Sequence, residues 1–209
     1  VIDAFHMVAR EETARFFTDN RSNNKSIILT DDFYKLKERD IYGNLKNINY
    51  ESKNVQPYKD DFTSEVFGAL GYLTEVDLQK TLGDTNHLLK PKFLLRYSPG
   101  TMRKENSGYR LTASSAFDID RLNSINNFET GLSGTIGVDY KVKSQNKEFD
   151  FSIAQIISDE ENKKMHSKTS LDEKMSDLVG TTSFKINENV KLNYDFSLDQ
   201  NLRDLNYNE

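Results

Sequence analysis

The sequence predicts an all-β chain in which antiparallel strands follow one another as an up-and-down meander. Long runs alternate between apolar and polar side chains with a period of two, which is the period of a strand and not of a helix. In the run at 128–143 one face carries Phe128, Leu132, Ile136, Val138, Tyr140 and Val142, and the other carries Glu129, Ser133, Thr135, Asp139, Lys141 and Lys143. In the last run Val190, Leu192, Tyr194, Phe196 and Leu198 oppose Lys191, Asn193, Asp195, Ser197 and Asp199.

The composition indicates a sheet with one apolar face and one hydrated face. Of 209 residues, 36% are hydrophobic and 29% are charged, and the mean hydropathy of -0.71 is low for a globule that is closed on all sides. Partial disorder and a sheet that faces water in a lumen both account for this deficit, and the regular alternation favours the sheet. No apolar run approaches the roughly 20 residues of a membrane-spanning helix, whereas barrel strands of about 9 to 11 residues give a weaker signal.

Charge and cysteine content exclude several other classes. The net charge is -5 and the basic residues are scattered, so the chain has no basic stripe of the kind that binds nucleic acid. Because there is no cysteine, disulfides, thiolate metal sites and cysteine nucleophiles are excluded.

Residues 1–40 are predicted to be a poorly defined leading segment with a barrel strand and a loop, and residues 41–209 a partial β-barrel domain. In the leading segment, loosely grouped apolar residues predict a short helix at 1–17. Turn residues follow at 19–24, and a short strand is predicted at 25–30.

The next strands are predicted at 41–50, 66–78 and 89–97, with a loop around Pro57 and a turn at 83–86. At 66–78 Val66, Leu70, Tyr72, Val76 and Leu78 alternate with Glu65, Glu75, Asp77 and Gln79. At 89–97 Leu89, Pro91, Phe93, Leu95 and Tyr97 face away from Lys90, Lys92 and Arg96. Pro91 is expected near the start of its strand, where a missing N–H is tolerated. Residues 98–100 end the strand, and Tyr109, Leu111 and Ala113 predict a further strand that leads into 116–122.

Four clearer strands are predicted at 128–143, 148–157, 178–187 and 189–199, and their connections differ in length. Residues 144–147 and 187–189 are short turns, and 158–177 is a long hydrophilic loop. In an up-and-down order the two short turns share one end of the sheet and the long loop lies at the other. Outer-membrane barrels have this asymmetry, with short periplasmic turns and long external loops. We therefore expect part of a large transmembrane outer-membrane β-barrel, with 158–177 outside the cell.

The chain is also expected to be a piece of a longer protein. It begins at Val1 without a signal-like segment and stops at Glu209 inside a polar continuation of a strand pattern. A sheet interrupted in this way has unpaired edges, so the isolated piece is expected to be marginally stable or prone to aggregation.

Several motifs follow one another in order from residue 88 onward. Residues 88–92 with 95–99 are similar to an "L-x-P…L-x-Y-S-P" strand, and 116–122 with 128–131 and Gly137 to an "F-S-L-x-R…D-x-x-E-x-G…Y-G" segment. Both patterns resemble the LPS-assembly outer-membrane protein family LptD, also called OstA or Imp. Residues 151–155 resemble its "G-Q" strand, and 170–172, 176–180 and 194–199 its "S-G-L…S-D-x-V-G…Y-x-x-x-L-D" series. The matching positions are Pro91, Arg121, Glu129, Gly131, Gln155, Asp177, Gly180 and Asp199, to which we assign no chemical role.

The resemblance, which covers about 60–209, implies a function and a set of partners. It implies a segment of the C-terminal barrel that receives lipopolysaccharide from an LptA-like periplasmic bridge and inserts it into the outer leaflet. An LptE-like lipoprotein plug is implied inside the barrel and outer-membrane lipid around it. The domain that meets the bridge is expected outside residues 1–209. No cofactor is implied.

Candidate chemical groups are few. Nucleophilic catalysis requires a Ser or Thr beside a positioned His, but His6, His87 and His166 lie in polar, loop-like sequence and no G-x-S-x-G is present. The acidic residues at 159–161 and 31–32 are suited to a divalent cation, although solvated charge is the simpler interpretation. Polar residues of the strands, including Glu129, Asp139, Lys141, Lys191 and Asp195, are expected to line a lumen. Phe128, Tyr140, Tyr194 and Phe196 are expected either in an interfacial girdle or in cross-strand pairs.

Together with the alternation, the resemblance implies a non-enzymatic lipopolysaccharide translocation barrel. The alternatives are another outer-membrane barrel, such as a porin or a surface-binding barrel, and a soluble β-rich binding protein. The last requires a second apolar layer, which the polar faces do not supply.

Overall fold

The computed structural model describes residues 9–10, 34–55, 58–106, 108–122, 124, 127–145, 147–187 and 189–209. These residues form one antiparallel sheet of nine strands in sequence order, which confirms the predicted all-β meander. The strands are β1 Ala9–Arg10, β2 Tyr34–Ser52, β3 Asp61–Leu82, β4 Thr85–Ser98, β5 Gly131–Lys143, β6 Glu148–Ser158, β7 Leu178–Lys185, β8 Lys191–Leu198 and β9 Leu205–Asn208. Two 3-10 helices lie at Ser115–Phe117 and Ser167–Thr169. No helix within the described ranges has the length and apolar character needed to cross a membrane.

Strands β2 to β8 lie where the alternation predicts them, and β9 was not predicted as a strand. Strands β2 and β3 are longer than predicted. Their pairing runs without interruption from Tyr34↔Gln79 to Ser52↔Asp61, so backbone pairing continues into polar sequence on both sides. The turn predicted at 83–86 contracts to the two residues between β3 and β4. Gly83 has a φ of +58° there, a conformation that glycine adopts without steric cost.

Pro91 lies in the middle of β4, opposite Val138 of β5, and not near the start of its strand as predicted. The pairing of β3 with β4 stops at Glu75↔Lys92 and resumes at Leu78↔Leu89. The reason is that proline has no N–H to donate to the neighbouring strand. The sheet accommodates the proline through this short gap in the pairing of β4 with one of its two neighbouring strands.

The leading segment differs from its prediction where it is described. Ala9 and Arg10 pair with Ile41 and Asp40 as a short strand, so the helix predicted at 1–17 is wrong at these residues. A weak apolar grouping does not outweigh hydrogen bonding to a neighbouring strand. The rest of that helix, the turn at 19–24, the strand at 25–30 and Pro57 lie outside the described residues. β2 begins at Tyr34 and crosses the boundary expected between residues 40 and 41.

The strand predicted from Tyr109 into 116–122 is wrong. This part of the chain is irregular apart from the 3-10 helix Ser115–Phe117. The backbone N–H of Thr112 donates to Ser115 Oγ at 2.9 Å, and that of Ser115 donates to Thr112 Oγ1 at 3.1 Å. Such local side-chain hydrogen bonds compete with strand pairing and turn the backbone instead.

Phe128 was predicted on the apolar face of β5 together with Leu132, and this is also wrong. Phe128 is fully buried, whereas Leu132 and Ile136 are exposed. Gly131, the first residue of β5, lies between them with a φ of +118°. Residues with a side chain rarely adopt this conformation, and the alternation before Gly131 is out of phase with the alternation after it.

The two faces of the sheet have different surroundings. On the open face, as we call it, large apolar side chains are exposed along the strands; they include Ile41, Leu45, Phe62, Val66, Leu70, Leu89, Phe93, Leu95, Tyr97, Leu132, Ile136, Leu192 and Tyr194. The opposite, covered face packs against the connections 99–130 and 159–177. The resulting core consists of Met102, Ala113, Ala116, Leu122, Ala154, Ile156, Met165, Leu171 and Val179.

The connections between β2 and β9 are sorted by length. Residues 83–84, 144–147 and 186–190 form the short-turn end, and residues 53–60, 99–130, 159–177 and 199–204 form the long-loop end. This confirms that the turns at 144–147 and 187–189 share one end and the loop at 158–177 the other. The two longest connections cover only the adjacent half of the sheet, so the covered face near the short-turn end remains polar.

Candidate functional site

An apolar band on the open face is the first functional feature. Along β4 its side chains are Leu89, Phe93, Leu95 and Tyr97, and between 38% and 52% of each is exposed. Neighbouring strands continue the band in register, since Leu95 is opposite Tyr72 of β3. Soluble monomers rarely expose a contiguous apolar surface of this size, which normally contacts lipid or another protein.

An aromatic row borders the band near the short-turn end. It crosses β4 to β7 and consists of His87, Tyr140, Phe149 and Phe184, with neighbouring ring centroids 6.2, 6.5 and 6.5 Å apart. Tyr140 Oη lies 2.9 Å from His87 Nδ1. The predicted cross-strand aromatic contact of Tyr140 is therefore present. Girdles of aromatic side chains at one level of a sheet are typical of the membrane interfaces of outer-membrane barrels.

A charge ladder crosses the covered face of β3 to β6 in the half near the short-turn end. Lys90 Nζ lies 3.1 Å from Asp77 and 3.6 Å from Glu75, and Lys92 Nζ lies 2.7 Å from Asp139. Farther along, Lys141 Nζ lies 3.0 Å from Glu148 and 3.2 Å from Asp150. The predicted lumen residues Asp139 and Lys141 are thus on this face as ion pairs. Asp195 lies on the same face, in β8, and accepts a hydrogen bond from Thr181.

The other half of the covered face is occupied by an inner segment, which we define as residues 99–106, 108–122, 124 and 127–130. Two of its side chains lie against glycines of the sheet. A Cβ at Gly71 would lie 2.2 Å from Ile119 Cδ1, and a Cβ at Gly137 would lie 2.8 Å from Phe117 Cζ. Lys92 Nζ lies 4.3 Å from the centre of the Phe117 ring, a cation–π contact. The glycines therefore admit the inner segment to close contact with β3 and β5.

A buried cluster of three charged residues, which we call the lock, joins the inner segment to β4 and β5. Arg121 binds both carboxylate oxygens of Glu129, with Nε–Oε2 at 2.7 Å and Nη2–Oε1 at 2.6 Å. Arg121 Nη2 also donates to Ser133 Oγ at 2.7 Å. Arg96 donates to the carbonyls of Ile119 at 2.8 Å and Glu129 at 2.6 Å. The side chains of Arg96, Arg121 and Glu129 are 1%, 0% and 6% exposed.

Further polar contacts hold the inner segment along its length. Lys46 Nζ lies 2.6 Å from Asp120 Oδ2 and donates to the carbonyl of Ser124 at 2.6 Å. Arg103 forms an ion pair with Glu65. Burial and the neighbouring Asp120 carboxylate raise the pKa of the Asp118 carboxyl, against the opposing effect of Arg121. The inner segment is therefore bound to β2 and β3 as well as to β4 and β5.

The structure brings some of the motif residues together. Arg121 and Glu129 belong to the lock, so the hydrated lumen position predicted for Glu129 is wrong. Its carboxylate is buried against two guanidinium groups. Glu129 lies two residues before Gly131, where β5 begins, and therefore does not follow the alternation of that strand. Gln155 Nε2 donates to the carbonyl of Ser176 at 3.0 Å.

A second group of motif residues surrounds β7 and β8. Asp177 Oδ2 accepts hydrogen bonds from Ser197 Oγ at 2.7 Å and from Asn206 Nδ2 at 3.0 Å. A Cβ at Gly180 would lie 2.2 Å from Phe196 Cζ, so the absence of a side chain makes room for that ring. Pro91 lies apart from both groups in the middle of β4, whereas Asp199 directly follows β8. The backbone N–H of Asp199 donates to the carbonyl of Asp204 in the turn before β9.

Sequence reasoning placed Arg96 on a polar face but did not assign it to the lock. A usable signal existed, because glycines inside strands often mark a close approach of another segment. Gly71 and Gly137 are such residues.

The remaining candidate groups are the histidines and the acidic runs. His87 belongs to β4 and not to a loop as predicted, and His166 Nδ1 accepts from the N–H of Lys168 at the start of a 3-10 helix. His6 and residues 31–32 lie outside the described residues. Asp159, Glu160 and Glu161 are exposed, and no cluster of three potential metal ligands occurs in the described ranges.

Comparison with known proteins gives one match. The family model LptD, described as LPS transport system D, matches residues 16–209. No curated protein and no solved structure matches the chain significantly. The matched range includes β2 to β9 and both groups of motif residues, and the all-β sheet is the structure that the resemblance implied. The chain belongs to the LptD family, whose members serve lipopolysaccharide transport and assembly in the outer membrane.

Proposed function

We propose that residues 41–209, with the first residues of β2, form part of the wall of an outer-membrane barrel that delivers lipopolysaccharide to the outer leaflet. The open face contacts membrane lipid, and the covered face lines the lumen. Passage is non-enzymatic: the saccharide moves along the hydrated lumen, and the acyl chains leave sideways into the membrane. The long-loop end, including 159–177, faces the cell exterior.

The height of the apolar band carries this proposal. The aromatic row crosses β4 at His87, and the band ends at Tyr97 beside the last residue of the strand. Ten residue intervals of about 3.4 Å span about 34 Å along a strand. At a tilt of about 40° they correspond to about 26 Å along the membrane normal, which agrees with the roughly 25 Å apolar band of outer-membrane barrels.

Several partners follow from the family and remain part of the proposal. They are lipopolysaccharide, an LptE-like lipoprotein plug in the lumen, surrounding outer-membrane lipid, and an LptA-like periplasmic bridge that contacts a domain beyond these residues. Nucleic acid is not among them, since the chain is acidic. Family membership favours this function over a passive porin.

Depletion of the full protein that contains this chain tests the proposal. Surface lipopolysaccharide, measured on intact cells, is expected to fall as the protein is lost and to recover on re-expression. Unchanged surface lipopolysaccharide after depletion would contradict transport and leave the porin alternative. Recovery of the intact protein in the soluble periplasmic fraction would contradict both membrane functions.

A further inference from the structure

We propose that the inner segment is a fixed part of the lumen wall, held by the lock, and not a lid that swings aside when substrate passes. The proposal rests on the proposed function in taking the covered face as the lumen side. It assigns Arg96, Arg121 and Glu129 as positioning residues. On this side of the barrel the lumen is permanently narrowed near the long-loop end, and substrate moves past the inner segment.

The inner segment has two arms, which contain Ile119 and Glu129. The lock holds both arms with one side chain of the wall. Arg96, on β4, donates to the carbonyls of Ile119 and Glu129, which are ten residues apart in sequence. Arg121 then joins these two arms to each other through the Glu129 carboxylate. Displacement of either arm therefore breaks charge-assisted hydrogen bonds in the other.

The lock is sealed from water. Opening it would separate a buried carboxylate from two buried guanidinium groups, and removing one partner of such a cluster is strongly unfavourable. Segments that open readily have few buried apolar contacts and solvent-exposed hydrogen bonds. The inner segment has the opposite character, since Met102, Ala113, Ala116, Leu122 and Phe128 are buried.

The inner segment is also enclosed from its other side. The N–H of Glu105 donates to the carbonyl of Lys164 at 2.8 Å. A Cβ at Gly108 would lie 3.0 Å from atoms of His166 and Thr169. The 159–177 connection thus packs over the inner segment, which is held between this connection and the sheet.

A covalent tether tests whether the segment must move. Thr135 Oγ1 donates to the carbonyl of Ala116 at 3.0 Å, and the chain contains no cysteine. Ala116→Cys with Thr135→Cys in the full protein, oxidised in cells, is expected to form a disulfide and to leave surface lipopolysaccharide at the level of the reduced protein. A fall to the level of depleted cells in the oxidised, cross-linked protein would overturn the proposal. Depletion of the wild-type protein tests the proposed function separately.

Thiol labelling tests the lock. A cysteine at position 119, introduced as Ile119→Cys, is expected to react with a maleimide much more slowly than one introduced as Tyr109→Cys, because Tyr109 is 75% exposed. Adding Glu129→Gln or Arg121→Ala should accelerate labelling at position 119 about tenfold or more. Arg110→Ala is the matched control, since Arg110 is exposed and contacts the Tyr207 ring outside the lock. Equal labelling at 119 and 109 without a lock mutation would overturn the proposal, as would no acceleration in the lock variants.

Discussion

At the scale of single residues, the chain uses charge in two ways. The lock places one carboxylate between two guanidinium groups away from water, whereas the charge ladder spreads its ion pairs over a half-exposed face. Ion pairs near water contribute little, because solvent screens them, but breaking a buried pair leaves a charge without compensation. The same substitution should therefore have different effects in the two places.

Glu129→Gln should destabilise the protein by about 3–5 kcal/mol. The amide keeps the shape of the side chain but leaves two buried guanidinium groups without a counter-charge. Glu148→Gln is the matched control on the ladder and should cost about 0–1 kcal/mol. Urea unfolding of the full protein in lipid vesicles, followed by the mobility of the folded band, measures both values. Equal losses of unfolding free energy in the two variants would mean that the lock contributes no more to stability than the charge ladder does.

Gly137→Ala should destabilise the protein by about 1–3 kcal/mol. A Cβ at this position would lie 2.6 Å from the carbonyl oxygen of Ile153 and 2.8 Å from Phe117, and a backbone atom cannot move aside as a side chain can. Gly134→Ala, in the same strand on the open face, meets only Phe93 at 3.6 Å and should be close to neutral. The same unfolding measurement decides, and a neutral Gly137→Ala variant would contradict the close contact with the inner segment.

At the scale of elements, β2 and β3 are longer than a membrane crossing requires. They contain 19 and 22 residues, whereas about 9 to 11 tilted residues suffice. Leu70 of β3 pairs with Tyr97 near the end of β4, so the part of β3 before Leu70 extends past its neighbour. Phe62 lies eight residues farther on, about 27 Å along the strand. The β2–β3 hairpin therefore projects beyond the proposed membrane on the long-loop side.

Phe93→Arg should destabilise the membrane-embedded protein by about 2–4 kcal/mol, and Phe62→Arg by about 0–1 kcal/mol. Both side chains are exposed on the open face, but Phe93 lies near the middle of the band and Phe62 lies beyond it. Phe93→Ala separates the loss of aromatic contacts from the cost of placing a charge in lipid. If unfolding in vesicles gave the same cost for both arginines, the open face would not be the lipid face.

At the scale of the whole molecule, the lengths of the connections distinguish the two ends of the sheet. Short turns lie at one end, and the connections that fold over the covered face leave from the other. In outer-membrane barrels the long connections are external. In the proposed orientation, the aromatic row near the short-turn end lies at the periplasmic side of the band.

An epitope inserted after Glu160 should be accessible to antibody on intact cells. Glu160 is exposed in the 159–177 connection at the long-loop end. The same epitope inserted after Ser144, at the short-turn end, should be detected only after the outer membrane is permeabilised. The reverse pattern would invert the proposed sidedness without affecting the strand order.

The sequence alone determined strands β2 to β8, their order and the chemical character of their faces. The reason is that the period-two alternation is a local pattern and does not depend on distant contacts. The sequence motifs also singled out Arg121 and Glu129, although they did not indicate a role for either residue. Only the tertiary structure decided the path of 99–130. That path depends on non-local contacts: Arg96 reaches two carbonyls of another segment, Phe117 and Ile119 occupy the space above Gly137 and Gly71, and Gly131 changes the phase of the chain before β5. None of these contacts produces a periodic pattern in the sequence, so a segment predicted as one more strand instead packs across the covered face of the sheet.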